Sequence, residues 1–290
     1  MLSTSGIHEP GNRGAGQIFI LVTLSLFCAT LAQASSCISV LDNGSTPGAF
    51  IASSTASLSA PNCVIRVNST HSLAFEASGI STLSAAQFAV NGGYNNSGDS
   101  TISPSPTTGA GIVADPYANL PAPNVSATCD QTSYSLAGSS TDSISPGVYC
   151  GGISVSGSAQ LTLNPGVYIL NGGGFNVSGT ANITGNNVMF FLTGQNGYTN
   201  APLNFSGSAT VTLSAPASGP YQWILFYQDR SAPYQQSNVI EATGLSRCAG
   251  AFYFPSTRMV VSRTTLTGQV EIVVWDLTVQ DGASLQITGW

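Results

Sequence analysis

Pro146-Gly147-Val148-Tyr149 leads into Ile153-Ser154-Val155-Ser156-Gly157-Ser158-Ala159, and about twenty residues later Pro165-Gly166-Val167-Tyr168 leads into Phe175-Asn176-Val177-Ser178-Gly179-Thr180-Ala181. A turn followed by a short alternating strand, repeated at that spacing, is the signature of stacked coils. One such unit has an apolar side that it cannot bury alone, so the next unit must cover it. Phe205-Ser206-Gly207-Ser208-Ala209-Thr210-Val211-Thr212-Leu213 repeats the pattern again.

Outward from this stretch the same period-two segments recur, bounded by Gly, Asn and Ser. Upstream they include Phe50-Ile51, Cys63-Val64-Ile65-Arg66-Val67 and residues 86–90; residues 35–47 read as an opening segment that caps the first coil. Downstream, residues 221–227 and 249–254 are rich in aromatics and are expected at the centre of the cross-section, and residues 266–288 finish the stack. Residues 98–127 break the rhythm with Pro104, Pro106, Pro116, Pro121 and Pro123. The residue before a proline is driven to extended conformations, so a loop lying along one face of the stack is expected. Asp115 within it reads as a turn or cap residue. The expected fold is all-β: a right-handed parallel β-helix-like solenoid over residues 35–290, with a Pro-rich loop excursion at 98–127.

Composition agrees. Only 6% of the 290 residues are charged, with six arginines, no lysine and a net charge of -6, against about 25% charged in an average soluble domain. Helices keep their outer faces wet with Lys and Glu, which this chain lacks; strands and turns can use hydroxyls and amides instead. Without a basic patch to neutralise phosphates, nucleic acid is not an expected partner.

Residues 18–31 are almost wholly apolar, and Ala32-Gln33-Ala34 is a small-x-small cleavage site. Residues 1–34 therefore read as a secretory signal peptide or as a retained membrane anchor that tethers the protein through residues 15–34. Either reading exports the body of the protein to the periplasm, cell surface or medium. In an oxidising compartment the sequence-neighbour pairs Cys37–Cys63 and Cys129–Cys150 are the expected disulfides, which leaves Cys248 unpaired. Cys28 lies in the apolar segment.

The succession from Cys129 through Pro146-Gly147-Val148-Tyr149-Cys150-Gly151-Gly152-Ile153 to Leu163-Asn164-Pro165-Gly166-Val167-Tyr168 resembles the C-terminal region of TadG-like proteins, associated with tight-adherence (Flp-type) pilus assembly in bacteria. Ile224-Leu225-Phe226-Tyr227-Gln228-Asp229-Arg230, Gly250-Ala251-Phe252-Tyr253-Phe254-Pro255 and the Asp115-Pro116 to Pro121-Ala122-Pro123 segment are similar to it as well. The resemblance implies a module of the cell envelope with protein partners there, and it transfers no catalytic residue. The chain departs from the family in its short region before the first coil, and it has no second cysteine over residues 270–275 to partner Cys248.

Solenoid enzymes that cleave polysaccharide need two carboxylates in fixed opposition. Asp229, Glu241, Glu271 and Asp276 stand in no Asp-Asp or Asn-x-Asp cluster, and Asp229-Arg230 reads as a loop ion pair. His71 is the only histidine of the exported part, and no Gly-x-Ser-x-Gly elbow precedes a helix. The chain is therefore expected to be no enzyme, with no catalytic, cofactor or metal residues. Its expected function is that of a structural or adhesive scaffold. Two binding alternatives stay open. An ice-binding solenoid would need a flat face of repeated Thr-x-Thr; Thr210-Val211-Thr212 is one instance, which the other coils do not repeat in register. A carbohydrate-binding adhesin would use exposed aromatics, whereas Trp223 and Tyr227 read as core.

Overall fold

Short alternating segments form strands here because one side of each is apolar and the other is hydroxylated. In Gln160–Leu163 and Thr210–Ser214, the side chains of Leu161, Leu163, Val211 and Leu213 are buried, while Thr162 and Thr212 face out. The computed structural model describes residues 35–289; the signal or anchor expected at 1–34 lies outside the described residues. Every strand pairing is parallel, and the strands join in one solenoid-like sheet around a common core. No helix occurs among the described residues. The chain turns where glycine permits it. A Cβ on Gly173, at φ 69°, would fall 1.9 Å from the carbonyl oxygen of Gly151 in the neighbouring coil, so both the left-handed backbone and the close stacking demand glycine.

Three walls result. The first holds Ser35–Val40, Gly166–Asn171, Val188–Thr193 and Ile224–Gln228. The second holds Phe50–Ala52, Phe75–Ala77, Phe175–Val177 and Leu203–Phe205. The third holds Thr141–Ile144, Gln160–Leu163, Asn182–Gly185 and Thr210–Ser214. Longer strands such as Ser57–Val67 and Val270–Gln280 bend from one wall to the next.

The order of the coils is not the order of the chain. Coils climb from Gln131–Leu136 to Ser284–Ile287, and the last of them is then covered by the first. Ile38 pairs with Ile272, Phe50 with Leu277, and Leu58 with Leu285. Residues 35–47 are thus no cap, and residues 266–288 do not end the stack; both expectations are corrected. The physical reason is that a terminal coil leaves an apolar cross-section and a row of unpaired peptide groups. Ile272, Val274, Leu277 and Leu285 find that cover in Ile38, Val40, Phe50 and Leu58. From this seam the chain climbs onward to Thr101–Ser103, the strand of its far end.

The chain must then return the whole length of the stack to reach Gln131, and the Pro-rich segment does so along the first wall. It is shorter than residues 98–127 suggested: Thr101–Ser103 is a strand of the last coil, and Thr107 still bridges to Ala89. Inside, aromatics stack from coil to coil, with Tyr149–Tyr168, Tyr168–Phe190, Phe190–Phe226 and Phe226–Phe252 centroids 5.0–5.8 Å apart. Such pairs add roughly 0.5–1.5 kcal/mol each beyond the area they bury. The bridges are Cys37–Cys63 and Cys129–Cys150. The first joins consecutive coils and the second fastens the end of the returning strap. Cys248 is buried and free, its thiol pushed up to about 12 by burial despite a backbone hydrogen bond with Leu213 that lowers it. Such a thiol is unreactive.

Candidate functional site

The returning strap is held by a network that the sequence did not announce. Asn68 receives it first: Val113 N donates to Asn68 Oδ1 and Asn68 Nδ2 donates to Val113 O, both at 2.9 Å. Asp115 caps its own turn through Tyr117 N (2.8 Å) and also accepts from Tyr253 Oη at 2.7 Å, so it is more than the turn residue expected. Tyr117 Oη donates to Glu271 Oε2. Arg230 donates from Nη2 to Tyr117 O (2.5 Å), from Nη1 to Leu120 O (3.2 Å) and to Tyr227 Oη, and from Nε to Tyr253 Oη (3.1 Å). Its guanidinium also lies 5.3 and 5.4 Å from the Tyr227 and Tyr253 ring centroids. Beneath the strap, Tyr117, Leu120 and Val125 pack on Phe191, Tyr227, Tyr253 and Val273.

These contacts use the acids that a hydrolase would need. Burial raises the Glu271 carboxyl above its usual range, against the lowering effect of Tyr117's hydrogen bond. Asp229 makes no pair with Arg230, contrary to expectation. Burial raises its carboxyl, but donation from Ser231 N, Thr193 and the Ser231 hydroxyl outweighs that and holds it below the usual range. Arg230 instead points to the strap because its five donors find backbone carbonyls there. Glu241 pairs with Arg263, and Asp276 accepts from Tyr234 Oη at 2.9 Å and lies 3.4 Å from Arg258. His71 Nδ1 accepts from Leu73 N within a turn. These acids are thus spread over separate places, and among the described residues no group of three His, Cys, Asp or Glu side chains gathers to hold a metal ion.

The third wall carries no strap. Its outward residues form two columns, and the register aligns them across the seam. One column runs Ser143, Thr162, Thr184, Thr212, Arg247, Thr267, Gln286, Ser59, Ser84 and Ser103. The other begins Thr141, Gln160, Asn182 and Thr210 and ends Ser284, Ser57, Thr82 and Thr101. The coils that adjoin Thr210-Val211-Thr212 carry Asn182-Ile183-Thr184 on one side and Ser246-Arg247 on the other, so neither repeats Thr-x-Thr, as expected; a second copy, Thr265-Leu266-Thr267, lies one coil further on. The chain reads these coils at uneven spacing, and only strand pairing brings them side by side, about 4.8 Å apart.

Trp223 is a second correction: it is 41% exposed, while Tyr227 is buried as expected. Trp223 has φ 65° at the corner before Ile224–Gln228, where the register shifts, so it falls outside the inward alternation. A bulky side chain at positive φ is an outlier worth a functional question. With Tyr117, Gln222, Gln269 and Glu271, it lines an open hollow of about 450 Å³ at the edge of the strap. No protein-family model, no curated protein and no solved structure matches this chain.

Proposed function

We propose that the protein is an exported, non-enzymatic scaffold of the bacterial cell envelope or surface, related to TadG-like proteins, acting by presentation of its walls to protein partners. The observation that carries this reading is the strap network: Asp115 and Glu271 are both engaged by tyrosines in holding the chain to itself. A rod of hydrogen-bonded coils is stiff because each coil's peptide groups are satisfied by its neighbours. The right-handed winding is what the handedness of parallel crossovers favours. Two disulfides fit an oxidising, exported environment; residues 1–34 would direct or tether it there. The reading is tested by fractionating cells that express the chain and assaying the purified protein on bacterial and plant polysaccharides. Recovery in the cytosol, or a polysaccharide-cleaving activity lost in Glu271→Gln, would overturn it.

The third wall favours a second reading, a ligand-binding solenoid. Two columns made mostly of hydroxyls and amides, with Arg247 as their one charge, suit an ordered, uncharged surface such as ice. Ice recrystallisation inhibition that disappears in Thr184→Tyr would establish it, and normal ice growth in the presence of the protein would exclude it. The hollow lined by Tyr117, Gln222, Trp223, Gln269 and Glu271 supports the carbohydrate-binding form of the same reading, since its amides can hydrogen-bond a sugar.

A further inference from the structure

The third wall is neutral along its columns except at Arg247, which stands in line with Thr212 on one neighbouring coil and Thr267 on the other. Its side chain is exposed and makes no ion pair or hydrogen bond with any described residue. By contrast, Arg230 holds the strap, Arg258 lies beside Asp276, and Arg263 pairs with Glu241. A guanidinium presents five donors in a fixed fork, and at Arg247 the fold itself uses none of them.

Two open hollows meet beside this side chain. One, of about 410 Å³, is lined in part by Asn186, Thr212, Arg247 and Gln269; the other, of about 440 Å³, is lined in part by Ser59 and Gln286. They share Thr267 and Gly268. Gly268 has φ 140°, and a Cβ there would fall 2.0 Å from Cys248 O, so no side chain separates the two. From Thr212 through Arg247, Thr267 and Gln286 to Ser59, the joined groove follows one outward column across the seam. Four steps of the coil spacing make it roughly 19 Å long. Ser214 Oγ donates to Asn186 Oδ1 at 3.1 Å, which turns the Asn186 amide nitrogen into a fixed donor at one end.

We propose that this groove binds an acidic polysaccharide, with one uronate carboxylate on Arg247 and neutral sugars in the hollows to either side. A carboxylate can accept two parallel N–H bonds from the guanidinium fork. One guanidinium matches one monoanion. The rest of the groove is neutral and the chain carries a net charge of -6, so a polymer charged at every unit is repelled, and uronates spaced by neutral sugars fit better. The hydroxyls and amides along the column exchange hydrogen bonds with sugar hydroxyls. An acidic protein would instead need large apolar anchors at the centre of its contact, and Leu213, Cys248 and Ile287 beneath the groove are buried. The inference rests on the third wall being a ligand-binding face and gives that face its ligand class.

The test titrates the full chain with oligosaccharides of hyaluronan, in which uronate alternates with a neutral sugar, and with the same oligosaccharides after reduction of their carboxyl groups. The acidic form is expected to bind more tightly, by about fivefold to tenfold at low salt, with the difference shrinking as salt is added. Arg247→Gln should remove that difference and leave the unfolding midpoint unchanged, since the side chain has no partner in the fold to lose. Arg247→Lys, which keeps the charge without the fork, should restore part of it. Thr267→Tyr fills the junction of the two hollows and should weaken both forms. Equal binding of the two forms, unaffected by Arg247→Gln, overturns the proposal while leaving the third wall a ligand-binding face. Binding of neither form overturns the proposal, and if ice growth is normal as well, the ligand-binding reading falls with it. Poly-glutamate bound as tightly as hyaluronan, with the same dependence on Arg247, overturns the glycan and assigns the groove to an acidic peptide.

Discussion

The first and third walls grow from the same repeat and bury the same kind of core, yet one is covered and the other is bare. On the first wall, outward positions are large and apolar, such as Met189, Phe191, Tyr227, Tyr253 and Val273, and the strap seals them. On the third wall, the corresponding positions are Thr, Ser, Asn and Gln, which need no cover. The comparison shows that stability and presentation are divided between walls. Substitutions on the first should unfold the protein, whereas substitutions on the third should change only what it touches.

The largest break in that comparison is expected from Tyr253→Ala. It removes a fully buried ring that lies between strap and rod, together with its bonds to Asp115 and Arg230. The loss should be about 3–5 kcal/mol in urea unfolding. Next comes the paired change Cys129→Ser with Cys150→Ser, which opens a link spanning 21 residues and should cost about 3 kcal/mol, with faster proteolysis between residues 108 and 128. Arg230→Ala removes donors from two strap carbonyls, and a loss on the order of 1–2 kcal/mol is expected, again with the strap cut first.

A smaller and signed effect belongs to Glu271. Its folded carboxyl lies above its ordinary value of 4.5, so between the two values the folded protein keeps a proton that the unfolded chain has lost. Its contribution is therefore fully present below about 4.5 and is lost as pH rises through the folded value. Glu271→Gln, which still accepts from Tyr117, should flatten that part of the stability–pH profile; an unchanged slope would place the titration elsewhere. The smallest effect is expected from Thr184→Ala on the third wall, within about 0.5 kcal/mol of the parent. A loss as large as that of Arg230→Ala would show that the third wall is structural after all.

Much of this was legible in the chain. The Pro-Gly-Val-Tyr turns, the alternation around Val155, Val177 and Val211, and the shortage of charge all point to stacked parallel coils, because those features describe local geometry and local burial. Tyr227 is buried, but on the outward side of the first wall beneath the strap and not at the centre of the cross-section, which alternation alone does not show. Trp223 does not read correctly, since alternation fails where a backbone corner at positive φ turns the side chain out. The strap network was illegible: Asp115, Tyr117, Arg230, Tyr253 and Glu271 are separated by up to 156 positions, and nothing local says which meets which.

The amino-acid sequence by itself determined that this protein is all-β, coiled upon itself and bridged Cys37–Cys63 and Cys129–Cys150. Each of those rests on neighbours in the chain or on one repeat covering the next. Tertiary structure alone decided where the stack begins. Any coil can cover any other of the same cross-section, so the choice to seat residues 35–60 on residues 270–287 is made by the fit of two apolar ends. From that choice follow the strap's path, the continuation of the polar columns across the seam and the meeting of Asp42 with Asp276.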